Sequence, residues 1–269
     1  MQIVDAQVHA WANGTSTGHH RRTPITQAVL EAEMAAAGVD RVVLVPPLWD
    51  PLGNTYSLSL ARACPQRFSV MGVLDPHMPA PETTLERWQG EPGLRGIRLL
   101  CNSPERLAPL QDGRFDKLLS LAESTGQTVA ILAPGALPVI ALIARRHPDL
   151  RLIVDHLGVP RGATGPAAFD HLPTLLALAG YPNVYVKAAG VGDYALDPYP
   201  FRSLAEPLQR IFDAFGTERV IWASDLSRLH HPYHQCVSHF CDTLPGLSST
   251  ELASVMGGTI CRLLGWSGG

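Results

Sequence analysis

Polar, reactive side chains stand where the apolar runs of this sequence stop. Gln7 and His9 follow Ile3-Val4-Asp5-Ala6, and Asp75 follows Phe68–Leu74. Arg98 lies in Leu94-Arg-Gly-Ile-Arg-Leu-Leu100, and His156 closes Arg151-Leu-Ile-Val-Asp-His156. Lys187 stands in Val184-Tyr-Val-Lys187, and Asp225 ends Arg219-Val-Ile-Trp-Ala-Ser-Asp225. A carboxylate with imidazoles can take a proton from water, polarise a carbonyl or ligate a divalent metal. Arginine and lysine would hold an anion, and the planar guanidinium fork suits a carboxylate. Each residue also has a plainer use. Asp225 could cap a helix, and His9 or His156 could be core imidazoles satisfied by backbone. Arg98 could form a rim salt bridge, and Lys187 could contact substrate or pair internally.

Eight β-like runs must position these groups: Ile3–His9, Arg41–Pro46, Phe68–Asp75, Leu94–Leu100, Thr128–Pro134, Arg151–His156, Val184–Gly190 and Arg219–Asp225. Side chains two apart share a face of a strand. Asp5, Gln7 and His9 are therefore expected to point one way, and Gly96 with Arg98. Val154 and His156 are expected inward, with Asp155 turned out. Segments with helical spacing separate the runs, clearest at Pro24–Gly38, Phe115–Glu123, Pro138–Arg146, Leu172–Ala179 and Leu204–Phe215. Ser248-x-x-Glu251 reads as a capping box that opens a last helix. Strand and helix repeat at roughly 30 residues per unit. No Gly-x-Gly-x-x-Gly follows any strand, which counts against a doubly wound dinucleotide fold. The expectation is α/β, a (β/α)8 TIM barrel in a single domain over residues 1–269, with its chemistry at the carboxyl ends of the strands.

A net charge of −3 and 46% hydrophobic residues describe a globular protein and argue against nucleic acid or an anionic membrane as partner. No apolar run reaches membrane-spanning length, and the start does not read as a signal peptide. Five cysteines without CxxC spacing fit reduced thiols in a cytoplasmic protein. Cys101, near the expected mouth, reads as a packed thiol. Asp75-Pro76-His77 reads as a turn, and Gly18-His-His-Arg-Arg22 as a loop that is either solvated or reaches the barrel mouth.

The opening Asp5-Ala-Gln-Val-His-Ala-Trp11 is similar to the Asp-x-His-x-His-x-Trp opening of the amidohydrolase-related (amidohydrolase 2) family, especially its sugar-lactone and pyrone-dicarboxylate lactonase branch. Val154-Asp-His-Leu-Gly158 resembles that family's Asp-His-x-Gly. Ser224-Asp225 resembles its Gly-Ser-Asp-Trp-Pro, with Ala223 and Leu226 as departures. Arg95-Gly-Ile-Arg98 is similar to Arg-Gly-x-Arg, and Val186-Lys187-Ala-Ala-Gly190 to the strand that carries the family's lysine. Gly257-Gly-Thr-Ile-Cys-Arg-Leu263 resembles its closing Gly-Asn-Ala-x-Arg-Leu.

The resemblance implies a hydrolase that opens a small carboxylated lactone. Asp225 would be the general base, its pKa lifted by burial, and His9 and His156 would polarise the carbonyl. Arg98 would hold the substrate's acid group, with Gln7, Lys187, Trp11 and Arg228 as further substrate contacts. Gln7 stands where the family has its first histidine, and an amide oxygen is a poor zinc ligand. Strand five offers no histidine either. The cofactor is therefore either none or one divalent metal such as zinc, held by His9, His156 and Asp225. Val159 and Val191-Gly-Asp193 stand where a doubly acidic lactone would want arginines. Two other activities share the barrel: decarboxylation of a small aromatic or unsaturated acid, and non-catalytic binding of a small molecule. The expected partner is a small anionic substrate, and homo-oligomer formation stays open.

Overall fold

The eight apolar runs form strands because each is buried on both faces, the pattern a parallel sheet covered by helices requires. The computed structural model describes residues 1–75, 77–244 and 246–266. The strands are β1 (Val4–Val8), β2 (Arg41–Leu44), β3 (Phe68–Leu74), β4 (Leu94–Leu100), β5 (Thr128–Leu132), β6 (Leu152–Val154), β7 (Val184–Ala189) and β8 (Val220–Ala223). Each pairs in parallel with the next, in the order β1 to β8, with helices between them. This is the expected (β/α)8 barrel. Val43, Met71, Ala130, Ile153 and Ile221 fill its interior, while Val42, Val70, Val129, Val154 and Trp222 face the helical layer.

The helices follow the sequence signals closely. Gly38 ends the first helix (Gln27–Ala37) at φ +72°, a left-handed cap that glycine adopts without strain. Ser248 and Glu251 complete the reciprocal capping box of Ser249–Ala253. The chain's closing segment plugs the amino-terminal end of the barrel. Ile260, Leu263, Leu264 and Trp266 pack into the inner cluster, and Thr128 Oγ1 donates to the Leu263 carbonyl at 3.0 Å. Among the described residues the barrel's opposite, carboxyl end is the one that opens into a cavity. In the Asp75–His77 turn the Asp75 carboxylate accepts from the His77 N–H at 2.9 Å; Pro76 lies outside the described residues.

β8 meets β1 without a described ladder. Instead the Asp225 N–H donates to the Gln7 carbonyl at 3.1 Å, and the Ser224 N–H donates to Asp5 Oδ1 at 3.0 Å. The Asp5 carboxylate also accepts from the Gln7 N–H at 3.0 Å and the Tyr233 hydroxyl at 2.6 Å. Burial pushes its pKa up even against these hydrogen bonds. Asp5 therefore does not share a face with Gln7 and His9, as strict alternation would have it. The register of β1 shifts between Asp5 and Val8, so Ala6 and Gln7 both turn inward while Asp5 reaches across the seam.

Among the described residues no helix is long and apolar enough to cross a membrane. All five cysteines are free thiols.

Candidate active site

Asp225 follows β8 at φ +54°, a left-handed conformation that is sparsely populated by any residue with a side chain. The turn is sustained by the seam hydrogen bond from its N–H and by the Arg228 N–H donating to its carbonyl at 2.7 Å. The next described helix begins at Tyr233, so Asp225 is no helix cap. Its Oδ1 lies 3.2 Å from His9 Nε2, and its Oδ2 lies 3.7 Å from His156 Nε2. Burial alone would raise this carboxyl. The hydrogen bond from His9 and the charges of His9, His156 and His19 prevail and hold it well below the usual carboxylate value. The expected upward shift is reversed because the carboxylate sits among imidazoles rather than apolar walls.

β6 departs furthest from simple alternation. Ile153 points inward and Val154 outward, so Asp155 turns into the barrel, the opposite of the expected parity. His156 still reaches the site because it and Leu157 both adopt φ +54°, curling the chain inward just past the strand. A carbonyl can only accept, so His156 Nδ1, 3.3 Å from the Ala189 carbonyl, carries the proton. Its Nε2 then accepts from the Gln7 amide at 3.1 Å. Burial drives this imidazole's pKa down to about 3, in keeping with a neutral ring. Gln7 Oε1 is buried without a hydrogen-bond partner, an acceptor available to a ligand or to water.

Asp155 was absent from the candidate residues, yet it organises the cations. Its Oδ2 accepts from Arg98 Nε at 2.6 Å, and its Oδ1 lies 2.7 Å from Lys187 Nζ. Asp155 and Lys187 are fully buried and Arg98 is 4% exposed. Burial would raise the Asp155 carboxyl, but Lys187 and Arg98 hold it far below its ordinary value. Lys187 is thus paired internally, beneath the cavity rather than on its wall. Arg98, with Gly96 on the same inner face, also borders the cavity.

The loop after β1 supplies a second group that the sequence left undecided. Its base is pinned where Trp11 bridges Ile25, and its return is pinned by the Arg21 N–H donating to the Ser227 carbonyl at 2.9 Å. Between these points His19 folds over the mouth, with Nδ1 2.8 Å from Ser227 Oγ and its ring edge-on to His9 and Trp49. Burial lowers its pKa to about 4.

These groups line a cavity of about 410 Å³ at the carboxyl end of the barrel. Gln7, His9, Arg98, His156, Asp225 and Arg228 all border it, so six of the residues expected from sequence converge there. Trp11 does not border it; it is fully buried behind Trp49, 5.3 Å between ring centroids. His19 and Arg161 border it as well. Arg161 follows Val159 by two positions, so the β6 loop does bring an arginine to the wall. Arg228 packs over the Tyr194 ring at 5.5 Å. Cys101 is buried and its thiol is pushed up to about 12 by that burial, consistent with an inert packed thiol.

His9, His19 and Asp225 offer ligand atoms that all lie within 4.8 Å of one another. Two imidazoles and a carboxylate are the ligand types of a catalytic divalent site, which keeps a further position for water. The residues present therefore fit such an ion. His156, expected in that set, is not part of the group.

Comparison with known proteins agrees with this architecture. The chain is 29% identical to an L-fucono-1,5-lactonase of Burkholderia ambifaria, over 96% of this chain and 94% of that protein. An amidohydrolase from Burkholderia multivorans with bound zinc superposes with a TM-score of 0.83 at 22% identity, covering 98% of this chain and 99% of the other. A candidate 2-pyrone-4,6-dicarboxylic acid hydrolase from Pseudomonas putida superposes at 0.76 with 23% identity, covering 99% and 98%. At these identities the two structural matches speak for the fold. The family model described as Amidohydrolase matches residues 4–266, nearly the whole chain. The protein belongs to the amidohydrolase family and is a hydrolase.

Proposed function

We propose that this hydrolase opens a small lactone carrying a carboxylate. The observation that carries the reading is one cavity lined both by a buried carboxylate, Asp225, and by three arginines, Arg98, Arg161 and Arg228. The similarity to an L-fucono-1,5-lactonase along nearly the whole of both chains supports a cyclic ester as the bond broken.

In this reading Asp225 takes a proton from water as its oxygen attacks the ring carbonyl. The ring C–O bond breaks, and the proton returns to the departing alkoxide to leave a hydroxy acid. Arg98, Arg161 and Arg228 anchor the substrate's acid group, and the carbonyl is turned toward Gln7 and Asp225. His156 acts through Gln7: its Nε2 is engaged by the amide, so it orients Gln7 rather than donating to the carbonyl itself. Gln7 Oε1 is free to accept from the attacking water or a ring hydroxyl. A divalent ion held by His9, His19 and Asp225 would add Lewis-acid polarisation of the carbonyl.

A panel of carboxylated and neutral lactones, followed by proton release, tests the proposal. Turnover is expected to be highest on carboxylated γ- or δ-lactones and to fall by about 10²–10⁴ in Asp225→Asn, the range general base catalysis supplies. Carbon dioxide released from an aromatic or unsaturated acid, without lactone opening, would instead mark a decarboxylase. Tight ligand binding without turnover would mark a binding barrel.

A further inference from the structure

Arg98 borders the cavity from within β4, and what stands above it on the same face is hydrocarbon. Arg98 pairs in register with Ala130, and Leu100 with Leu132, so these two leucines form the next layer toward the mouth. A carboxylate held by Arg98 must carry the rest of its molecule past them. Pro134 continues this surface after β5, and residues 46–49 complete it after β2. Gln7, Asp225 and the imidazoles come from β1, β6 and β8 or their loops, on the other arc of the barrel.

The apolar arc offers little to a hydroxyl. Proline has no N–H, so Pro46, Pro47 and Pro134 remove three backbone donors from it. The Trp49 indole nitrogen is buried, so this side chain meets the cavity as ring carbon. Besides Arg98, the polar side chain on this arc among the described residues is Asn102, at the exposed rim. The wall is held in shape as well. Trp49 is wedged edge-on against Trp11 and His19, and behind it the Asp50 carboxylate accepts from the Leu52 N–H at 2.9 Å. Apolar surface also runs past the cavity's edge. Leu48 is 48% exposed and Leu52 61%, two of the five large apolar side chains that face solvent among the described residues. Their neighbourhood on one lip suits a ligand that covers carbon there.

We propose that the substrate carries a hydrocarbon substituent, seated on this wall between Arg98 and the mouth, and that lactones bearing hydroxyls there are poor substrates. Such a substituent rests on the lactone reading and narrows its substrate class. A hydroxyl turned to the wall would give up its water without gaining a partner, whereas an alkyl group would bury carbon on carbon. The cavity's volume of about 410 Å³ lies in the range of sites that take ligands well beyond a bare carboxylated ring. An apolar chain leaving the ring toward the mouth would run toward Leu48.

The test is a series of carboxylated γ-lactones bearing hydrogen, methyl, ethyl or propyl on the ring carbon next to the ring oxygen, beside a polyhydroxylated lactone of the same ring size. The value of kcat/KM should rise about 4-fold for each methylene added, and fall about 5-fold or more for each hydroxyl that meets the wall. In Leu48→Ser and in Leu132→Asn the propyl-to-hydrogen ratio of kcat/KM should drop at least ~3-fold. A ratio taken within one protein does not depend on how much of it is folded. A flat or falling dependence on chain length, or fastest opening of the polyhydroxylated lactone, would overturn the proposal. Alkylated tetrahydrofuran carboxylates, which lack the ester, separate this result from failure of the lactone reading. Their Kd, measured by calorimetry on the intact chain, should tighten about 4-fold per methylene even if no lactone is opened. A Kd indifferent to chain length would refute the apolar seat whichever bond the enzyme breaks.

Discussion

Replacing Asp155 with asparagine removes one charge and almost no volume, yet it strands two. Arg98 and Lys187 lie 2.6 and 2.7 Å from its oxygens in a region with almost no solvent access. Removing one partner of a buried ion pair costs about 3–5 kcal/mol, because the remaining charge stays buried without compensation. A chain of this size loses roughly 2–4 °C of Tm per kcal/mol, so the midpoint should fall by about 6–20 °C. Urea unfolding followed by tryptophan fluorescence gives the same quantity isothermally. A double-mutant cycle isolates the cause. Adding Lys187→Met to Asp155→Asn removes one stranded cation, and the pair should recover ~1–3 kcal/mol relative to the sum of the single changes. A second signature is the pH dependence. The Asp155 carboxyl is held below its ordinary 3.8, so its contribution is complete above that pH and is lost as pH falls further. An Asp155→Asn chain within ~1 kcal/mol of wild type, or an additive cycle, would refute the idea that this carboxylate holds both cations.

Three further outcomes follow from the same geometry. Tyr233→Phe leaves Asp5 Oδ2 buried without its donor, which should cost about 1–3 kcal/mol in urea unfolding and lower turnover by loosening Gln7 and Asp225; unchanged stability would remove Asp5 from the seam. The unfolded chain takes a proton on His156 near 6.5, whereas the folded ring resists until about 3, so stability should rise with pH across that window. The urea midpoint should climb less steeply in His156→Gln, and parallel profiles would contradict the assignment. Arg161→Gln should raise KM about 10–100-fold for a carboxylated lactone and leave a neutral one unaffected, the scale of one charge-assisted hydrogen bond; an equal effect on both would take Arg161 out of substrate recognition.

The barrel was legible because its strands are continuous apolar runs, and periodicity alone locates those. β4 coincides with the expected Leu94–Leu100, and the other strands begin within one residue of expectation. The direction of side chains at the strand ends was less legible. At β1 a bulge makes Ala6 and Gln7 both face inward, and after β6 two consecutive left-handed residues carry His156 in behind Asp155. Neither His156 nor Leu157 is a residue whose type demands positive φ, so no local signal announced the turn. Asp155 had been visible all along, beside His156 in the sequence, but its partners Arg98 and Lys187 come from other strands. His19 was found only as part of a histidine-rich loop, since the contact that orients it, Ser227, lies 208 residues away.

The seam between β1 and β8 also sets a timetable. Gln7 and His9 are made before the other strands of the barrel, and Asp225 emerges only after seven strands have been completed. Until β8 reaches Asp5, the chain has neither a closed barrel nor a base beside His9. Closing the barrel and assembling the site are thus one event, so a nascent or partly folded chain carries no half-formed reactive centre. Recovery of activity during refolding should coincide with protection of the Ser224 and Asp225 amides from hydrogen exchange, and with no earlier phase.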